Sequence, residues 1–171
     1  NCIKCGLCEQ GCPELSEKGK QSDSICYTIA SIHKCKKTLE KSSSGGFFAG
    51  VAELIIKNGG VVYGASFDEK WGAIHICVEN LEDLKKIQGS KYVQSSTDNT
   101  FKDVLVNLKN GRTVLYSGTP CQIAGLKSYL RVEYRKLYTL EIICHGVPSP
   151  LVWSLYLKEN YEYNKIKSIN L

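Results

Sequence analysis

The chain has 171 residues, 43% of them hydrophobic and 23% charged, which is enough for one sizeable core, and no run is apolar enough to span a bilayer. Twenty-two basic against 17 acidic residues give a formal charge of +5, spread without a Lys/Arg block or an aromatic-basic repeat, so nucleic acid is not an expected partner. Nine cysteines and the lack of an apolar leader fit a reducing cytoplasm, where thiols stay available as ligands.

In chain order the first feature is Cys2, Cys5, Cys8 and Cys12 followed by Pro13, the C-x2-C-x2-C-x3-C-P run of bacterial ferredoxins. Thiolates two residues apart can wrap a tight loop around one face of a cubic cluster, with backbone amides aimed at its sulfurs. Structural zinc takes two Cys pairs separated by a longer stretch, and a thioredoxin motif is a single C-x-x-C. The run therefore predicts a 4Fe-4S cluster and electron transfer. In the two-cluster form Cys2, Cys5 and Cys8 hold one cube and Cys12 reaches toward another, whose partner motif this chain does not contain. With no methionine and a start one residue before a ligand, the chain is expected to be an internal piece of a longer protein. Residues 1–24 are expected to be the second half of a ferredoxin-type domain.

Residues 25–44 form a polar connecting segment, with a short strand expected around Ile25 to Ala30. From residue 45 to 171 the pattern is α/β, with a central mixed sheet, and the domain is expected to be incomplete at its C-terminus. Helical periodicity runs from Phe47 through Val51, Leu54 and Ile55 to the stop Gly59-Gly60. Val61 to Phe67 and Trp71 to Val78 read as paired strands around Asp68-Glu69. Helices follow at Leu81 to Ile87 and Thr100 to Asn110. Two strand, loop and helix units complete the chain: Thr113 to Tyr116 with Cys121 to Leu130, and Tyr138 to Ile143 with Pro150 to about Tyr161.

Three loops place small or polar residues at the start of a predicted helix, where free amides and the helix dipole favour negative charge. They are candidate cradles for an anion or cofactor. In Ser42-Ser43-Ser44-Gly45-Gly46 the glycines admit close approach and the hydroxyls donate, although such stretches also serve as linkers and caps. In Ser117-Gly118-Thr119-Pro120-Cys121-Gln122 a strand turns sharply into a helix, at a position that lowers a thiol pKa. Cys121 is then a cluster ligand, a redox or nucleophilic thiol, or a small residue capping the turn. Ile143-Cys144-His145-Gly146-Val147-Pro148-Ser149-Pro150 again ends a strand in a cysteine. If the two strands are parallel and adjacent, both cysteines emerge at carboxyl ends, where open α/β sheets collect ligands.

Behind the ferredoxin motif, the ordered stretches Ser42-Ser43-Ser44-Gly45-Gly46, Gly89-Ser90-Lys91-Tyr92, Gly118-Thr119-Pro120-Cys121-Gln122 and Cys144-His145-Gly146 resemble the coenzyme F420 hydrogenase/dehydrogenase beta-subunit family over nearly the whole chain. The resemblance implies a flavoprotein oxidoreductase component that passes electrons between 4Fe-4S clusters and FAD, and on to a deazaflavin such as coenzyme F420 or another organic acceptor. It implies flavin contacts among Ser43, Ser44, Gly45, Gly46, Lys91, Gly118 and Thr119. It also implies that Cys121 and Cys144 lie near a further cluster, completed in the family by a downstream C-x-x-C pair that lies beyond Leu171. Redox partners would be a ferredoxin or hydrogenase/dehydrogenase subunits, and mild basicity suits docking to an acidic carrier.

Cys26, Cys35 and Cys77 share no ligand spacing and read as ordinary small side chains, as do His33 and His75 in structural roles. His145 is a capping or solvated histidine, or a donor to a cluster or flavin. Lys91 is a surface lysine by default, and Tyr92 is read as a core tyrosine rather than a stacking platform. No Ser-His-Asp or paired-carboxylate constellation is visible, so no general acid or base is assigned. One competing reading is a non-enzymatic electron carrier or docking subunit. Another is a thiol enzyme using Cys121, which leaves the opening motif unexplained.

Overall fold

The computed structural model describes residues 4–6, 9, 15, 27–162, 165–166 and 168–169. Its elements are α1 (Lys36–Glu40), α2 (Phe47–Lys57), β1 (Val61–Phe67), β2 (Ala73–Val78), α3 (Leu84–Ile87), α4 (Thr100–Lys109), β3 (Val114–Gly118), α5 (Pro120–Leu130), β4 (Leu137–Glu141) and α6 (Pro150–Asn160). The fold is α/β around a four-stranded mixed sheet of order β2-β1-β3-β4. β1, β3 and β4 are parallel, and β2 pairs antiparallel with β1.

Strand alternation sorts the apolar side chains onto the two faces. Val61, Tyr63, Val114 and Tyr116 join Val104 and Leu108 of α4 and Ile123, Leu126 and Leu130 of α5 in one core cluster. Their neighbours Val62 and Leu115 pack on the other face with Ala52 and Ile55 of α2 and Leu84 and Ile87 of α3. Helices thus cover both faces, and β3 is buried at all of its positions.

Helices α2 and α4 end alike. Gly59 and Gly111 take positive φ, and each passes its N–H back to a carbonyl of the last turn, Ile56 and Leu108, while Gly60 and Arg112 reach Ile55 and Asn107. This is the Schellman closure that the glycines predict. The turn between β1 and β2 is held by Asp68, whose Oδ1 accepts from the Lys70 and Gly72 amides at 2.8 and 2.7 Å. Residues 94–96 then run beside β2, with His75 N donating to Ser96 O and Ser96 N to Ala73 O.

Two expected elements differ. Tyr27 and Ile29, in the expected strand around Ile25 to Ala30, are exposed and pair with no strand; Ile25 and Cys26 lie outside the described residues. The expected helix Leu81 to Ile87 contracts to the single turn of α3. Asn80 Oδ1 accepts from the Asp83 amide and Asn80 Nδ2 donates to the Asp83 carboxylate, so a side-chain turn replaces the first helical turn. Among the described residues, no helix is long and apolar enough to cross a membrane.

Candidate functional site

Because β1, β3 and β4 run in parallel, their carboxyl ends deliver three loops to one edge of the sheet. Gly118 and Glu141 are register partners at the ends of β3 and β4, and Ile142 N donates to Gly118 O at 2.9 Å, carrying the ladder one step further. Cys121 and Cys144 each stand three residues beyond that pair. Both are exposed at the same edge, as the sequence anticipates for adjacent parallel strands.

The Cys121 turn is tightly built. Thr119 is the N-cap of α5, Pro120 its first residue, and Thr119 and Gln122 form a capping box in which Gln122 Oε1 accepts from Thr119 N at 3.0 Å. A β-carbon on Gly118 would meet Gln122 Oε1 at 3.0 Å, Gln122 Cβ at 3.3 Å and the Tyr116 ring at 3.4 Å, so glycine here lets the glutamine fold back. Cys121 Sγ lies 3.1 Å from Thr119 Oγ1. The Cys144 loop is open by contrast: Cys144, His145 and Gly146 are all exposed.

At the carboxyl end of β1 lies a cavity of about 420 Å³ bordered by Ser66, Phe67, Ser43, Lys86, Ser90 and Lys91. Two loops 47 residues apart in sequence meet there through one bond, Ser90 N donating to Ser43 Oγ at 2.7 Å. Lys91 is no free surface lysine. Its Nζ donates to the carbonyls of Lys86, Gln88 and Gly89 at 3.3, 2.7 and 3.2 Å, clasping the end of α3, and burial pushes its pKa down to about 8. Lys86 pairs with Asp83. Tyr92, expected in the core, is 59% exposed.

Ser44, Gly45 and Gly46 stand beside this cavity in sequence but do not border it. The chain that approaches the two glycines is residues 31–33. His33 N donates to Gly45 O at 2.7 Å, and a β-carbon on Gly46 would meet His33 Cβ at 2.8 Å. Gly46 takes φ 76 as the N-cap of α2, and no side chain caps that helix. His33 also accepts from Cys35 N through Nδ1 at 3.1 Å, so it is structural.

Of the ferredoxin run, Cys5 is described and exposed, while Cys2, Cys8 and Cys12 lie outside the described residues. Among the described residues no group of three or more His, Cys, Asp or Glu side chains gathers to hold a metal. Cys121 and Cys144 offer two thiols at one edge of the sheet.

From the sequence, His75 has no role beyond that of an ordinary side chain. It is buried, and its ring connects to the Cys121 turn. Nε2 lies 2.9 Å from Ser117 O, Nδ1 lies 3.1 Å from Ser95 Oγ, and Gln122 Nε2 donates to Ser95 Oγ at 2.9 Å. Burial lowers the His75 pKa, against the Ser117 carbonyl, which raises it. The only sequence signal was a histidine within a strand, and its partner Ser95 carries none.

Similarity to known proteins agrees with this architecture. The family model for the C-terminal part of the coenzyme F420 hydrogenase/dehydrogenase beta subunit matches residues 111–171, which hold β3, the Cys121 turn, β4 and the Cys144 loop. A coenzyme F420-dependent sulfite reductase from Methanocaldococcus jannaschii is 28% identical over 173 residues, covering 96% of this chain and 27% of that protein. The chain thus spans about a quarter of the length of this curated relative. Its fold is shared with a chain of the xenon-derivatised F420-reducing [NiFe] hydrogenase complex from Methanosarcina barkeri, at 19% identity and a TM-score of 0.63, over 82% of this chain and 52% of that one. The ordered motifs and the parallel strands that bring their cysteines to one edge agree with these matches, and over residues 111–171 the chain is similar to the C-terminal part of the coenzyme F420 hydrogenase/dehydrogenase beta subunit.

Proposed function

We propose that the chain is the electron-transferring portion of an F420-associated oxidoreductase, passing electrons between 4Fe-4S clusters and FAD and on to coenzyme F420 or another organic acceptor. The observation that carries this reading is the shared edge, where the Cys121 and Cys144 turns and the serine-lysine cavity all sit at carboxyl ends of parallel strands. FAD would supply the switch between single-electron and hydride chemistry, and the clusters single-electron transfer.

The cavity supports the flavin part of this reading, and the two exposed cysteines at the same edge support the cluster part. The cavity volume lies within the usual range for small-molecule sites, and its serine hydroxyls suit a phosphate-bearing ligand. Ser43 and Lys91 would hold the flavin there: Ser43 keeps the two loops together and Lys91 keeps the Gln88–Gly89 carbonyls turned away from the anion. The uncapped amides after Ser44, Gly45 and Gly46, and Gly118 and Thr119 at the start of α5, would extend that contact. Cys121 and Cys144 would supply two ligands of a cluster. Cys2, Cys5, Cys8 and Cys12 would ligate the ferredoxin-type clusters, making residues 1–24 the relay and 45–171 the flavin domain. Protein partners would be a ferredoxin or other hydrogenase or dehydrogenase subunits.

An anaerobic absorbance spectrum of the full-length parent protein, with iron, acid-labile sulfide and extracted flavin quantified on the same sample, tests this. Flavin with about eight or more irons per chain is expected. Cys121→Ser and Cys144→Ser should each lose about four of them. Iron and sulfide without flavin would turn the reading into a one-electron carrier, and the absence of both overturns it.

A further inference from the structure

We propose that His75 is a positioning residue for the Cys121 turn, holding it through Ser95 and Gln122. The inference deepens the proposed function, since it matters to electron transfer only if Cys121 is a cluster ligand, but the bonding that carries it stands without any cluster.

Every donor and acceptor along the route can be assigned. Ser117 O, 2.9 Å from His75 Nε2, can only accept, so Nε2 carries a proton, and burial disfavours a second proton on the ring. Nδ1 must then accept, and at 3.1 Å it takes the Ser95 hydroxyl proton. The Ser95 oxygen is left to accept from Gln122 Nε2 at 2.9 Å, and the same amide nitrogen reaches Ser95 O at 3.2 Å. That fixes the other end of the amide, Oε1, on the Thr119 N–H. One ring thus bonds the strand that enters the turn, at Ser117, and through two side chains the cap that starts the helix.

The ring itself has little freedom. It stacks on Tyr116 with centroids 5.2 Å apart and planes 6° from parallel, and it is 6% exposed. A histidine that merely satisfies itself in a core would need one partner per nitrogen and no onward connection. Here both connections converge on residues 117–122, the segment that presents Cys121, while α4 and α5 supply the packing against Tyr116. A small displacement of a ligand or its surroundings changes the electronics of a metal site, which is how such outlying bonds tune one.

The test uses the full-length protein and two readouts. In iron-depleted protein, hydrogen exchange at the Thr119 amide reports the turn directly; losing one bond of the chain should speed it about fivefold in His75→Phe, which keeps the stacked ring. Ser95→Ala, a small change at a partly exposed site, should produce the same acceleration and guards against a His75 variant that does not fold. His75→Asn, whose amide oxygen falls where Nδ1 sits, should restore slow exchange, whereas His75→Gln should not. In iron-loaded protein, His75→Phe and Ser95→Ala should keep full iron content and shift the electron paramagnetic resonance signal of the reduced cluster. Unchanged Thr119 exchange in Ser95→Ala and in folded His75→Phe overturns the proposal, as does equal rescue by Asn and Gln. If exchange responds as expected but Cys121→Ser retains all iron, the positioning stands and the ligand reading of Cys121 fails.

Discussion

Gly118→Ala is the sharpest probe of the cysteine turn, and Gly125→Ala, seven residues on in α5, is its control. The new β-carbon at 118 would sit 3.0 Å from Gln122 Oε1, 3.3 Å from Gln122 Cβ and 3.4 Å from the Tyr116 ring. The amide end can rotate away, but it then releases the Thr119 N–H, costing about 1 kcal/mol. Gln122 Cβ and the buried ring must also give by a few tenths of an ångström, a strain of about 1 kcal/mol. Against this, alanine restricts the unfolded chain, which returns about 0.5 kcal/mol. A net loss of about 1–2 kcal/mol lowers the urea midpoint of the full chain by about 0.5–1 M. At Gly125 the nearest atom to a β-carbon is Phe101 Cε2 at 3.5 Å, an ordinary contact, so the helix-propensity gain of about 0.5–1 kcal/mol survives and the midpoint rises. A midpoint for Gly118→Ala at or above wild type would show that the turn is not packed as described.

Acid should weaken the fold through His75. Its folded pKa lies below the unfolded value near 6.5, so stability is full above that value and falls as pH drops through it, with a slope of at most about 1.4 kcal/mol per pH unit. Urea midpoints of wild type and His75→Asn between pH 5 and 7 should converge as pH falls; parallel curves would contradict a neutral buried imidazole. Lys91 works in the alkaline range: with its folded pKa near 8 and an unfolded value near 10.4, the unfolded chain holds more protons between the two, and stability rises with pH there. Lys91→Met should lose that rise when midpoints at pH 8 and 10 are compared, and should weaken retention of flavin by releasing the Lys86, Gln88 and Gly89 carbonyls. Leu126→Ala, fully buried between α5 and the sheet, should cost about 3 kcal/mol by denaturant titration, with a near-neutral result indicating that α5 does not cover that face.

Where chemistry is local, the sequence was readable. Gly59-Gly60 and Gly111 announce Schellman closures, and the hairpin of β1 and β2 follows from alternation around Asp68. The placement of Cys121 and Cys144 at one edge was conditional on parallel, adjacent strands, and the ladder of Gly118 with Glu141 supplies that condition. Reading failed where a local preference met a competitor or lacked a partner. Asn80 captured the Asp83 amide and shortened α3, and the β-prone Tyr27 and Ile29 pair with no strand. Contacts between distant segments left no trace at all. Nothing in the residues themselves says that Ser43 accepts from Ser90, that Lys91 closes on α3, or that His75 reaches Gln122 by way of Ser95.

The strand order also sets a sequence of events in time. β1 pairs with β2 across a short connection of turn residues, so this hairpin can close within microseconds of the chain becoming free. Its other neighbour, β3, lies about fifty residues away in sequence, with α3 and α4 between them. That loop must be closed before Tyr63 and Tyr116 can stack, and its entropy is spent before the central pair returns anything. Until then β1 is a hairpin strand with one bare edge and a row of valines, the kind of surface that recruits another chain. β4 joins β3 across about twenty residues, a shorter loop than the one between β1 and β3, so the β3-β4 pair that carries the two cysteine turns can form before it docks on β1.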